Sequence, residues 1–251
     1  MFNVIRSMFS RKWLLTTLIV FLGTGLCIRL GIWQLDRLEQ RRVFNAQVET
    51  MRALPALDLN AGQPVDLIAQ EWRPVRVSGT YDFENQVGLR NQYYGGQYGY
   101  HLLTPLLFSD GKAVLVDRGW IPADGNATPD DWRKYDEAGE VILSGQMRLG
   151  QTKPAFGGVA DPTLSPGETR LDLWNNADIT RIARQIPYKV LPVFIQPNAD
   201  VNDVTPPIPF QPEVDLSEGP HFGYALQWFT FAAILFFGYP FFLRKQKAEA
   251  E

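Results

Sequence analysis

Residues 222–243 read FGYALQWFTFAAILFFGYPFFL and contain no charged side chain. A bilayer core about 30 Å thick is crossed by about 20 apolar residues in a helix, so this segment predicts a transmembrane helix. Nearly half of its residues are aromatic, and His221, one of only two histidines in the chain, directly precedes it. A histidine in that place is compatible with an ordinary interfacial residue of an aromatic belt and with a ligand for haem iron.

A second apolar stretch, residues 13–34, lies near the N-terminus. Basic residues precede it, but no small-x-small cleavage site follows, so we interpret it as a retained transmembrane anchor. Gly23, Cys27 and Gly31 are spaced four residues apart, which is typical of a face that packs closely against another helix. Cys27 is the only cysteine, which excludes an internal disulfide and a CxxC site.

Charge predicts the orientation of the two spans. Arg244, Lys245 and Lys247 follow the second span, whereas residues 198–221 contain five acids and no Lys or Arg. The positive-inside rule therefore predicts that residues 1–12 and 244–251 are cytoplasmic tails. We expect a two-pass protein of the bacterial cytoplasmic (inner) membrane, with its central part periplasmic. The net charge is -3 and no basic cluster lies outside the termini, which argues against nucleic acid as a partner. Membrane lipid is the expected surrounding of the two spans.

Residues 35–196 are predicted to form the extracytoplasmic domain. Residues 35–53 indicate a helix that continues from the first span. In the residues that follow, short apolar runs alternate with turn signals. The predicted strands are 72–79, 86–90, 98–108, 112–120, 140–149, 169–174 and 191–196. Ser109-Asp110-Gly111 predicts a hairpin, and residues 179–186 predict a short helix with Asp178 as its N-cap.

The predicted fold class follows from this order of elements. Two transmembrane α-helices, 13–34 and 221–243, flank an extramembrane, mainly antiparallel β (α+β) domain that is compatible with a small barrel. Residues 197–220 contain six prolines and are expected to form a stiff, extended tether to the second span.

Four motifs resemble signature segments of the surfeit locus protein 1 family. In order they are GIWQLDRL at 31–38, YGYHLLTPL at 98–106, DGKAVLVDRGWIP at 110–122 and HFGYALQWF at 221–229. Asp117 stands where this family usually has Asn. The resemblance implies a protein that is not an enzyme but an assembly factor for haem–copper cytochrome c oxidase. It also implies that the chain binds haem a and assists its insertion, with the oxidase catalytic subunit and haem a synthase as partners.

The candidate haem site lies where the two spans leave the membrane. His221 is at the start of a helix, whose positive end disfavours imidazolium and favours the neutral form that ligates iron. Tyr224 and Trp228, one and two turns further on, could flank a porphyrin, and Gln34 and Arg37 could meet its propionates. The alternatives are an aromatic belt for the rings and an interhelical hydrogen bond for Gln34.

Three residues of the central domain are candidates for contact with a partner protein: His101, Arg118 and Trp120. A hydrolase built on His101, Asp117 and Ser78 is disfavoured because the chain lacks a GxSxG elbow. A copper chaperone is disfavoured because the chain has one cysteine and four methionines. A structural assembly scaffold that never binds haem remains the open alternative.

Overall fold

The computed structural model describes residues 2–62, 66–154, 156–164, 167–199, 202–209 and 214–248. The chain divides into two compact units, one made of residues 1–47 and 215–251 and the other of residues 48–214. In the described ranges the helices are α1 (Phe2–Met8), α2 (Leu14–Ala53), α3 (Pro129–Trp132), α4 (Ile179–Ala183) and α5 (His221–Ala248).

The first unit is helical and contains both predicted spans. Within the described residues, α2 and α5 are the two helices long and apolar enough to cross a membrane. Helix α2 has 40 residues, which makes it about 60 Å long and about twice as long as a hydrocarbon core is thick. The prediction that the first span continues as a helix over residues 35–53 is therefore confirmed.

Helices α2 and α5 pack along a seam with a seven-residue repeat. The buried positions of α2 that show the repeat are Thr17, Thr24, Gly31, Leu38 and Asn45, and a parallel set holds Cys27 and Gln34. Such a repeat is typical of helices that wrap around each other with a left-handed twist. A Cβ atom on Gly31 would lie 2.7 Å from the Phe229 ring, and one on Gly23 would lie 3.5 Å from Leu235. The predicted close approach along the small-residue stripe is confirmed.

The second unit is a β domain. Its described strands are β1 (Leu57–Asp58), β2 (Pro74–Tyr81), β3 (Val87–Tyr94), β4 (Gln97–Leu107), β5 (Ala113–Pro122), β6 (Glu140–Leu149), β7 (Leu173–Trp174) and β8 (Val190–Pro197). The sheet order is β1-β2-β6-β8-β5-β4-β3-β7, and β2 also pairs with β4 through Thr80–Leu107 and Tyr81–Leu106. This extra pairing closes β2, β6, β8, β5 and β4 into a five-stranded barrel, so the predicted small barrel is confirmed.

Most strand pairs are antiparallel, as predicted, but three pairs are parallel. They are β1 with β2, β3 with β7, and β5 with β8. The β4–β5 hairpin forms at the predicted turn, where Phe108 N–H donates to the Lys112 carbonyl at 2.8 Å and Gly111 has a φ of 78°. The predicted strand 169–174 is reduced to its last two residues, Leu173 and Trp174. Before them, the Arg170 side chain donates to Asn85 and to the Gln86 carbonyl.

The described residues form three apolar core clusters, and the two largest lie on opposite sides of β5. The barrel interior holds Val75, Val77, Leu106, Val114, Val116, Met147, Val193 and Ile195. The outer cluster holds Leu103, Leu115, Trp174, Ile179 and Ile182. Because both faces of β5 are covered, this strand is buried from Ala113 to Ile121 rather than at every second residue. Helix α4 completes the outer cluster, and Asp178 caps it by accepting from Arg181 N–H at 3.0 Å, as predicted.

Part of the proline-rich segment lies on the barrel domain. Trp120 and Ile208 exchange two backbone hydrogen bonds, each of 2.8 Å, so residue 208 extends the edge of β5. Gly119 permits this approach because a Cβ there would lie 2.2 Å from the Ile208 carbonyl oxygen. Its φ of 123° also excludes most side chains. The segment predicted as a tether is thus in contact with β5 at this point.

Gly119→Ala is expected to destabilise the protein well beyond the effect of Gly111→Ala. Both positions have a positive φ, but a Cβ on Gly111 meets nothing within 4 Å. The overlap with the Ile208 backbone should add about 1–3 kcal/mol to the backbone cost. The free energy of unfolding, followed by tryptophan fluorescence in detergent, measures both variants. Equal losses would contradict the account of Gly119.

Candidate functional site

The candidate site is the contact between His221, the first residue of α5, and Gln34 of α2. His221 Nδ1 and Gln34 Oε1 are 2.8 Å apart. An amide oxygen only accepts hydrogen bonds, so this contact needs a proton on Nδ1. In the neutral imidazole the lone pair is then on Nε2. Gln34 is 9% exposed and His221 is half-buried. The interhelical hydrogen bond predicted for Gln34 is present, with His221 as its partner, while Gln227 is exposed on α5.

The chain just before α5 is attached to α2 by side chains of both segments. Arg42 binds Glu218 with two hydrogen bonds of 2.7 and 2.9 Å. Arg41 donates to the Ser217 carbonyl at 3.0 Å, and Asn45 donates to the Leu216 carbonyl. The Arg42 hydrogen bond and charge lower the pKa of the Glu218 carboxyl. These contacts position the start of α5, and with it His221, opposite Gln34.

Sequence reasoning did not identify these clamping residues. Asn45 and Gln34 are both buried on the seam of α2. A seven-residue pattern counted from Thr17 would have placed them on the same face of the helix. Arg42 and Glu218 carried no local signal, because ion pairs between distant segments have no fixed spacing in sequence. Tertiary structure alone brings these two together across 176 positions.

The other residues predicted for the haem site have different surroundings. Tyr224 is 46% exposed, and Trp228 is half-buried with an edge-to-face contact to Phe231 at 6.0 Å between ring centroids. Both follow His221 along α5. Arg37 is exposed and donates to Gln40 of its own helix at 2.8 Å. The structure therefore joins Gln34 to His221 directly and leaves the predicted propionate role of Arg37 as a prediction.

This arrangement has a definite chemical capacity. Within the described residues no hydrogen bond reaches His221 Nε2, which is the nitrogen that a neutral imidazole offers to a metal. The described residues also contain no group of three or more His, Cys, Asp or Glu that could hold a bare metal ion. A porphyrin supplies four nitrogen ligands itself, so one histidine is sufficient to attach haem iron.

The second histidine is inside the β domain. His101 Nδ1 lies 3.0 Å from both carboxylate oxygens of Asp117, and Gly119 N–H donates to the same carboxylate at 3.2 Å. Burial lowers the pKa of His101, but the Asp117 charge and hydrogen bond outweigh it and raise the pKa overall. Ser78, the third member of the disfavoured triad, lies on β2 and pairs with Asn60 and β6.

The remaining partner-contact candidates are also buried. Arg118 is 5% exposed and donates to Glu137 at 2.8 Å and to Gln86 at 3.2 Å. Trp120 is 4% exposed, and its ring lies 5.4 Å from that of Tyr94. Arg118, Trp120 and His101 are therefore structural groups of the domain as it stands. A partner could contact them only after local movement, and that contact remains a prediction.

Comparison with known proteins shows which sequences this chain is similar to. The model of the SURF1 family matches residues 21–233, which include Gln34 and His221. Surfeit locus protein 1 of Homo sapiens is 28% identical over 220 residues, which are 81% of this chain and 69% of that protein. The SURF1-like protein of Monosiga brevicollis is 27% identical over 86% of this chain and 83% of its own length. The SURF1-like protein of Rickettsia felis is 24% identical over 91% and 97%.

Asp117→Asn is expected to change how stability depends on pH. A raised pKa for His101 means that its charged pair stabilises the fold below the ordinary histidine value of 6.5. This stabilisation is lost as the pH rises through the raised pKa. The thermal midpoint of the wild type should therefore exceed that of Asp117→Asn by more at pH 6 than at pH 8.5. Asp110→Asn, in the exposed β4–β5 turn, should show a constant difference. A constant difference for Asp117→Asn would contradict the assignment.

Proposed function

The chain belongs to the SURF1 family, and on that premise we propose that it is a membrane-anchored assembly factor for haem–copper cytochrome c oxidase. In this proposal it binds haem a and assists its insertion into the catalytic subunit. The observation that supports the haem part of the proposal is the contact of His221 Nδ1 with Gln34, because it leaves Nε2 available to bind a metal. Haem a is cargo here rather than a resident cofactor.

The surroundings of His221 support a haem in this position. The porphyrin ring is apolar and its propionates are charged, so a bound haem is most stable at the boundary between lipid and water. His221 is the first residue of an apolar helix, and the segment before it is polar and charged. Tyr224 and Trp228 offer aromatic surface beside the ligand, and Arg37 offers a charge for a propionate.

The proposed location and partners complete the assignment. We place the protein in the bacterial inner membrane with both termini cytoplasmic, since Arg244 and Lys245 follow the second span. The β domain and the His221 site then lie on the periplasmic side. The oxidase catalytic subunit is the proposed acceptor of haem a, and haem a synthase is the proposed donor. The protein itself carries out no chemical conversion in this scheme.

His221→Ala is expected to abolish haem binding. The protein should be purified in detergent from cells that make haem a, and its visible spectrum recorded. Wild type should carry haem in stoichiometric amount, and His221→Ala should lose it because the iron ligand is gone. His101→Gln should retain it, because His101 is bound to Asp117 inside the β domain.

A wild type without haem would contradict the haem part of the proposal. If the wild type carries no haem and cells that lack the protein fail to assemble oxidase, the result favours a scaffold that does not itself bind haem. If oxidase assembles normally without the protein, the assembly role is overturned as well.

Gly31→Leu is expected to weaken haem binding, whereas Gly25→Leu is not. A side chain on Gly31 would enter the Phe229 ring and separate α2 from α5, and this would break the hydrogen bond between Gln34 and His221. A side chain on Gly25 meets nothing within 4 Å, and both changes raise helix propensity equally. Haem titration should show about 10–100-fold weaker binding for Gly31→Leu. Equal affinity of the two variants would contradict the role of the seam.

A further inference from the structure

We propose that Gln34 is a positioning residue that selects Nε2 of His221 as the iron ligand and keeps this ligand weak enough for the haem to be passed on. The inference rests on the proposed haem binding and assigns a specific role to the amide. It concerns which nitrogen binds, how strongly it donates, and therefore how readily the Fe–N bond is broken during transfer.

The first step of the argument is that Gln34 is held in place. It lies on the buried seam of α2, one turn after Gly31, where the Phe229 ring leaves no room for a Cβ. Its side chain is 9% exposed and reaches across to α5. A side chain confined between two helices presents its oxygen in one direction, so the His221 ring is oriented with Nδ1 inward. Nε2 is then the nitrogen that faces away from α2.

The second step concerns the charge of the acceptor. A histidine that ligates metal usually donates its other N–H to a carboxylate, a carbonyl or water, and a stronger acceptor makes the ligand more basic. An amide oxygen is neutral, so it orients the ring while raising its basicity less than a carboxylate would. His101 shows the other choice within the same chain, since its Nδ1 faces the Asp117 carboxylate at 3.0 Å.

The third step is that nearby carboxylates are kept from His221. Glu218, three residues before His221, has both oxygens bound by Arg42 at 2.7 and 2.9 Å. Asp36, two residues after Gln34, is exposed on α2, and residues two apart do not share a helix face. With Glu218 bound by Arg42, the acceptor that His221 Nδ1 contacts is the neutral amide of Gln34.

The consequence is a ligand suited to transfer rather than to permanent retention. Passing a haem on breaks the bond between iron and His221 and forms one with a ligand of the acceptor, with no change of oxidation state. A weakly basic imidazole lowers the free energy needed for the first of these events. A carboxylate in place of the amide would hold the haem more tightly and would stabilise ferric iron.

The experiment compares full-length wild type with Gln34→Glu and Gln34→Leu, purified in detergent and titrated with ferric protoporphyrin IX. Gln34→Leu should bind about 10–100-fold more weakly, since the ring loses its orienting partner. Gln34→Glu should bind more tightly, have a lower midpoint potential and a higher Fe–His stretching frequency in the ferrous form. It should also transfer haem to apomyoglobin several-fold more slowly. Gln227→Glu and Gln227→Leu, at an exposed glutamine of α5, are matched controls that should equal the wild type.

The outcomes separate this inference from the proposed function. If wild type binds haem and His221→Ala does not, but both Gln34 variants match the wild type in potential and stretching frequency, the role of Gln34 is overturned and the proposed function stands. A merely structural Gln34 would give the same loss of affinity in both variants, without the tighter binding and the lower midpoint potential expected for Gln34→Glu. A wild type that binds neither ferric protoporphyrin IX nor haem a would overturn this inference together with the haem part of the proposed function.

Discussion

The close packing of α2 against α5 is the constraint on which the candidate site depends. Gly31 lets the Phe229 ring approach to a distance that no side chain would permit. That contact sets the register in which Gln34, one turn after Gly31 on α2, meets His221, about two turns before Phe229 on α5. The ion pair between Arg42 and Glu218, which lies beyond the apolar segment, supports the same register of the two helices. A polar contact between two otherwise apolar helices is thus positioned from both sides.

The β domain follows a different logic, in which polar groups are buried to hold strands together. His101 and Asp117 link β4 to β5, and Arg118 links β5 to the chain around Glu137. Gly119, which follows Arg118, leaves space for the Ile208 backbone. The motif around residues 117–120 is therefore explained by the architecture of the barrel and the segment that lies along its edge. A partner-contact role is not needed to account for it.

The two histidines show how environment separates the uses of one side chain. His101 is paired with a buried carboxylate, which favours its charged form and a structural role. His221 Nδ1, at the start of a helix, lies 2.8 Å from a neutral amide oxygen. Sequence position gave the first hint of this difference, because one histidine lies in a strand and the other before an apolar helix. The acceptors themselves were visible only in the structure.

Sequence alone determined both spans, the continuous helix after the first span, the β4–β5 hairpin and the cap at Asp178, because these features depend on local periodicity and turn chemistry. It also determined the family, because four motifs of that family can be read directly from the residues. Tertiary structure decided the barrel closure between β2 and β4, the parallel strand pairs, and the partners of Gln34, Arg42 and Trp120. Those contacts join residues that are distant in the chain, and no local pattern encodes which distant group completes a hydrogen bond. The site is therefore readable from sequence as a set of candidates, and only packing shows that two of them form one unit.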